Sequence, residues 1–143
     1  MNKIKIQNSF KSILEKDDNV IFALLFGSMA RNDMRYGSDI DIAIYFNDSQ
    51  TLYAIGNLCL NLEEAVNYKT DLVELNKLDK TNPVLAYSIV SEGIIIINKD
   101  IKIFNGYKKS VLLQYLDFKP TNDLINTGFN NRLSNNRFAV FEK

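Results

Sequence analysis

Residues 39–46 read DIDIAIYF, and this stretch constrains the fold more than any other. Asp39, Asp41, Ala43 and Tyr45 alternate with Ile40, Ile42, Ile44 and Phe46, a period of two that puts each set on its own face of a strand. The two carboxylates then leave one face roughly 6–7 Å apart. Asp is depleted in strands, and like charges on one face repel. A divalent cation held between or beside them reverses that penalty, because hard cations take carboxylate oxygens. The ordinary alternative is that Asp39 caps the strand and Asp41 faces water.

The neighbouring segments supply partners for this strand. Val20–Phe26 (VIFALLF) is a continuous apolar run suited to a strand covered on both faces. Before it, residues 4–16 place Ile6, Phe10, Ile13 and Leu14 at helical spacing. Leu52, Ile55, Cys59, Leu62 and Val66 recur at steps of three and four, predicting a helix of about four turns. Asp71–Leu75 reads as a third strand. Pro83 opens a helix through Ser91 that Gly93 closes, and Ile94–Ile97 is a short strand. Phe104, Tyr107, Val111, Tyr115 and Phe118 are helically spaced, and Pro120 is expected to separate that helix from another over 123–133. The order predicts one α/β (α+β) domain: a core over 1–100 and a helical extension of the same domain over 101–143.

Composition removes whole classes of chemistry. The 143 residues include no His, which excludes His-based triads, general bases and metal ligands together. The single Cys59 sits in an apolar stripe and reads as a buried thiol; alone it forms neither an internal disulfide nor a cysteine zinc site. Any catalysis therefore falls to carboxylates, hydroxyls, Lys, Arg and main-chain amides, with or without an oxygen-liganded metal. Lys+Arg and Asp+Glu are equal at 17 each, which gives no support for direct nucleic-acid or membrane attraction. The opening MNKIKIQNSFKSILEK is neither a signal peptide nor a membrane span, so a soluble cytoplasmic protein is expected.

The apolar run 20–26 ends abruptly at Gly27-Ser28, and residues 29–33 are expected to form a short helix starting at Ser28. Gly lets a phosphate approach the backbone, and a Ser at a helix N-terminus offers hydroxyl and amide where partial positive charge collects. Plain helix capping accounts for a lone Gly-Ser equally well. Arg31 and Arg35 lie close by and suit phosphate oxygens. A phosphate-cradling turn, basic residues and a metal-binding Asp-x-Asp are the parts that phosphoryl transfer requires. The stretch LFGSMARNDMRYGSDIDIAI resembles the signature of the minimal nucleotidyltransferases of the polymerase-β-like superfamily. That signature is Gly-Ser, ten intervening residues and Asp-x-Asp; Ala30-Arg31 and Ser38 fit it, and Asn32 departs from it where many relatives have a small residue.

The resemblance implies a mixed sheet flanked by helices and transfer of a nucleoside monophosphate to an acceptor hydroxyl with release of pyrophosphate. Asp39 and Asp41 would hold Mg²⁺, and Gly27, Ser28, Arg31 and Arg35 would bind the nucleotide, expected to be ATP. Asp71 would complete the metal site and deprotonate the acceptor; Glu74, the competing carboxylate, falls on the opposite face of its strand. Minimal nucleotidyltransferases of this size resemble antitoxins that adenylylate a tyrosine of a HEPN-type toxin ribonuclease, which makes such a toxin the expected partner. A small-molecule enzyme of the aminoglycoside-modifying kind and a non-catalytic binding antitoxin remain open. Tyr107, Tyr115, Phe118, Phe129, Phe138 and Phe141 either form a docking surface or cap the core.

Overall fold

The computed structural model describes residues 3–31 and 39–129. In chain order it contains α1 (Lys3–Glu15), β1 (Val20–Phe26), β2 (Ile40–Phe46), α2 (Leu52–Val66), β3 (Thr70–Glu74), α3 (Leu78–Thr81), α4 (Pro83–Glu92), β4 (Ile94–Asn98) and α5 (Ile101–Phe129). The strands form one mixed sheet in the order β3-β2-β1-β4. β1 runs antiparallel to β2 and β4, while β2 and β3 are parallel, joined by α2 as the crossover helix.

Each face of the sheet has its own core. Ile40, Ile42, Ile44 and Phe46 meet Ile6, Phe10 and Leu14 of α1 and Leu58 and Leu62 of α2. On the other face Phe22, Leu24, Ala43 and Leu75 pack against Ala86 and Ile89 of α4 and Phe104, Tyr107 and Val111 of α5. The alternation of residues 39–46 therefore sorts as the sequence predicts, with the carboxylate set on the α4/α5 face.

Helix ends follow local chemistry. The Thr51 hydroxyl accepts from the Ala54 N–H at 3.1 Å to start α2, and Asn67, in the left-handed region at φ 54, stops it. The Asn82 side chain accepts from the Leu85 N–H at 3.2 Å, and Pro83 takes the first turn of α4. Asp100 accepts from the N–H groups of Lys102 and Ile103 to open α5.

Three expectations are corrected. α5 runs unbroken through Pro120, because proline's fixed φ is itself helical and the loss at that position is one backbone hydrogen bond. Of the second helix expected over 123–133, residues to Phe129 belong to α5 and the rest lie outside the described residues. Among the described residues Gly27–Arg31 form a hydrogen-bonded turn, closed by the Arg31 N–H on the Gly27 carbonyl at 3.2 Å, where a helix was expected, and residues 32 and 33 of that expectation lie outside the described residues. In α2 the buried line is Leu58 and Leu62, while Leu52 is 88% exposed. At 100° per residue Leu52 stands roughly 80–120° around the helix from that line. Among the aromatics read as docking or capping, Tyr107 is buried and Tyr115 stacks on Tyr87, while Phe138 and Phe141 lie outside the described residues.

Candidate active site

Strand register assembles the site. Phe26 at the end of β1 is paired with Asp41 near the start of β2, and Asp41 is paired with Asp71 of β3. Paired residues share a face, so Asp41 and Asp71 stand side by side on adjacent strands, both toward the α4/α5 face. Glu74 is partnered with Ile44 and belongs to the other face. Asp39 precedes β2 on the Asp41 side of the alternation.

Gly27 lies against this row. Its φ of 70° is in the left-handed region, and a Cβ at this position would run into the Asp41 carboxylate. Glycine is therefore required twice here, for the turn and for the close approach of Asp41. Ser28 is half-buried and Arg31 exposed in the same turn. Arg35 falls outside the described residues.

The electrostatics report crowding. Burial and then the carboxylates of Asp71 and Asp39 push the Asp41 carboxyl above the ordinary Asp range, while the Arg31 guanidinium pulls it back. Asp41 thus sits among like charges at one end of the sheet. Among the described residues no three His, Cys, Asp or Glu side chains are drawn together as a formed cation cage. The sheet fixes the backbone register, and the carboxylates repel across it. Their chemistry nonetheless fits a hard divalent cation: all-oxygen donors, mutual repulsion that a cation relieves, and no His in the chain to favour a softer metal.

The sequence reading missed what flanks Asp71. β3 is an edge strand, and its odd-numbered residues bond to β2, as the Leu75 N–H does to the Ile44 carbonyl at 2.9 Å. The main-chain groups of Thr70 and Leu72 consequently point to the open edge. Two side chains of α2 cover them. The Cys59 thiol donates to the Thr70 carbonyl at 3.1 Å, and Glu63 Oε2 accepts from the Thr70 N–H at 3.0 Å. Burial, Glu63 and Asp71 push the Cys59 thiol above its ordinary range, with the Leu72 N–H pulling the other way. Cys59 is a half-buried edge cap held in the unreactive thiol form. A lone Cys in a helical stripe gives no sign of this in sequence, because its partner is a main-chain carbonyl.

A mixed sheet with this turn and this carboxylate row defines a nucleotidyl-transfer fold. The chain belongs to the polymerase-β nucleotidyltransferase family, whose model "Polymerase beta, Nucleotidyltransferase" matches residues 8–102. It is 32% identical over 97 residues to "Putative protein adenylyltransferase MJ0435" of Methanocaldococcus jannaschii, covering 68% of this chain and 100% of the relative. It is also 32% identical over 97 residues to "Putative protein adenylyltransferase MJ1217" of the same organism, covering 67% of this chain and 97% of that protein. Among solved structures it resembles a chain of a toxin–antitoxin complex with AMP-PNP, at TM-score 0.72 and 22% identity over 85% of this chain and 96% of the other. It likewise resembles a chain of the tri-AMPylated Shewanella oneidensis HEPN toxin in complex with MNT antitoxin, at TM-score 0.69 and 20% identity over 89% of this chain and 98% of the other. These likenesses show the shared fold. Among the described residues no helix is long and apolar enough to cross a membrane.

Proposed function

We propose that this chain is a Mg²⁺-dependent protein adenylyltransferase acting as an antitoxin, which transfers AMP from ATP to a tyrosine hydroxyl of a HEPN-type toxin in the cytoplasm. The observation that carries the reading is the row of Asp41 and Asp71 in register, with Gly27 packed against the Asp41 carboxylate. The names of the two Methanocaldococcus relatives and the AMPylated toxin of the Shewanella complex support the choice of acceptor class.

In this reading the turn at Gly27 and Ser28 receives the β- and γ-phosphates, and Arg31 and Arg35 offset their charge. Asp39, Asp41 and Asp71 would hold the cation, which when bound neutralises phosphate charge at the reacting phosphorus. Asp71, exposed at the sheet edge, takes the proton of the acceptor hydroxyl. The acceptor oxygen forms a bond to the α-phosphorus as the α–β phosphoanhydride bond breaks, and pyrophosphate leaves with the bonding pair. The AMP left on tyrosine is a bulky anion, and at a ribonuclease site it repels RNA phosphates.

The test is mass spectrometry of a HEPN-type toxin after incubation with this protein, ATP and Mg²⁺. Wild type adds discrete AMP increments to a tyrosine, and the Asp39→Asn, Asp41→Asn protein adds none. Toxin neutralised without added mass would overturn the enzymatic reading in favour of binding alone. Nucleotidylation of a small molecule with the protein untouched would overturn the acceptor.

A further inference from the structure

The outward side of α2 is unusual for a helix that covers a sheet. Leu52, Tyr53 and Leu60 are 88%, 81% and 59% exposed, and Gly56 sits between them with nothing within 4 Å of where its Cβ would be. An exposed mid-helix glycine costs stability relative to alanine, and neither a turn nor a close internal contact asks for it here. Together with Cys59 and Glu63 these residues line a mostly apolar groove of about 440 Å³. On a helical wheel Leu52, Gly56 and Leu60 form one line that continues into Cys59 and Glu63, the two side chains bonded to Thr70. Asp71 follows Thr70 in β3, so the groove ends against the open edge of the strand that carries it.

Charge decides between occupants. Glu63 and Glu64 are the only charged residues of α2, and Asp48 lies just before it. Two copies packed parallel across Gly56 would set Glu64 on Glu64, whereas a partner with Lys or Arg flanking an apolar ridge is attracted. Resting on the adenylyltransferase reading, we infer that this groove docks the acceptor protein, through an amphipathic helix whose apolar ridge crosses Gly56 and whose basic flank meets Glu63 and Glu64. The acceptor tyrosine is thereby delivered past the Cys59 cap to Asp71.

The experiment measures steady-state AMP transfer to the HEPN-type toxin of the preceding test, beside calorimetric ATP affinity and size-exclusion of the chain alone. Gly56→Gln and Leu60→Glu raise the KM for the protein acceptor by roughly tenfold or more, the loss of one central contact. ATP affinity stays with wild type, and Gly56→Gln raises the thermal midpoint because glutamine is the better helix former. An acceptor KM within about twofold of wild type for both variants, with Leu116→Glu on α5 raising it instead, overturns the inference and leaves the activity standing. A wild-type dimer dissolved by Gly56→Gln overturns the choice of occupant. Absence of transfer by wild type removes the adenylyltransferase reading and this inference together.

Discussion

The two ends of the α4/α5 face of the sheet are built on opposite principles. At one end Asp39, Asp41 and Asp71 crowd like charges beside a left-handed turn. At the other, polar groups are matched and aromatic rings interlock. The Tyr107 hydroxyl donates to the Leu75 carbonyl at 2.7 Å. The Asn76 side chain holds Phe46 from both directions, accepting its N–H at 2.9 Å and donating to its carbonyl at 2.7 Å. Phe22 stacks on Tyr45 at 5.0 Å and meets Phe104 edge-on at 4.9 Å. The contrast teaches that stability is concentrated away from the carboxylates, so that the reactive end can carry charge the fold alone does not favour.

Breaking the clamped end gives the largest effect. Phe22→Ala is expected to destabilise by about 3–5 kcal/mol in urea denaturation, since it empties a fully buried aromatic site. The folded fraction should retain its ATP affinity, and a parallel loss of affinity would show that the two ends are not separable. A smaller cost follows Tyr107→Phe, about 0.5–1.5 kcal/mol, because the Leu75 carbonyl loses one of its two donors and keeps the Leu78 N–H. The Tyr107 hydroxyl, pushed well above the ordinary tyrosine range by burial and by the nearby Asp79 and Tyr45, stays protonated throughout the neutral range. An unchanged midpoint for Tyr107→Phe would remove the hydroxyl from the clamp.

At the carboxylate end the effect is smallest and reversed in sign. The raised Asp41 pKa means that the folded state binds this proton more tightly than the unfolded chain does. Stability of the cation-free protein therefore falls as pH rises from the ordinary Asp range through the folded pKa, and the penalty persists above it. With EDTA present, Asp41→Asn should raise the neutral-pH thermal midpoint and flatten its acid dependence relative to wild type. A midpoint lowered by this substitution would mean that Asp41 stabilises the fold and is not held there at a cost.

Legibility in the sequence followed the range of the forces involved. The Asp39–Phe46 alternation and the apolar run 20–26 are set by local periodicity, and both strands form where they were read. Asp71 was singled out by the family resemblance, which implies a third carboxylate on the strand after the intervening helix, and the register sets it beside Asp41. The clamps made by Asn76 and Tyr107, and the Cys59 cap, depend on main-chain groups far away in the chain, which no pattern of side chains encodes. α3 went unread for the same reason. It is short, and its one buried polar residue, Asp79, is bonded by the Ser110 hydroxyl from α5 at 2.5 Å. Pro120 misled because proline's fixed φ is itself helical, and α5 continues through it.

The position of β3 at the margin of the sheet has a dynamic consequence. A strand bonded on one side opens by losing a single ladder, whereas β2 and β1 must lose two. Asp71 rides on one of the two strands, β3 and β4, that open by losing one ladder, and its alignment with Asp41 persists only while that strand is seated. In the proposed reaction, catalytic competence and the seating of one five-residue strand are thus one equilibrium, and the Cys59 and Glu63 contacts to Thr70 are its latch.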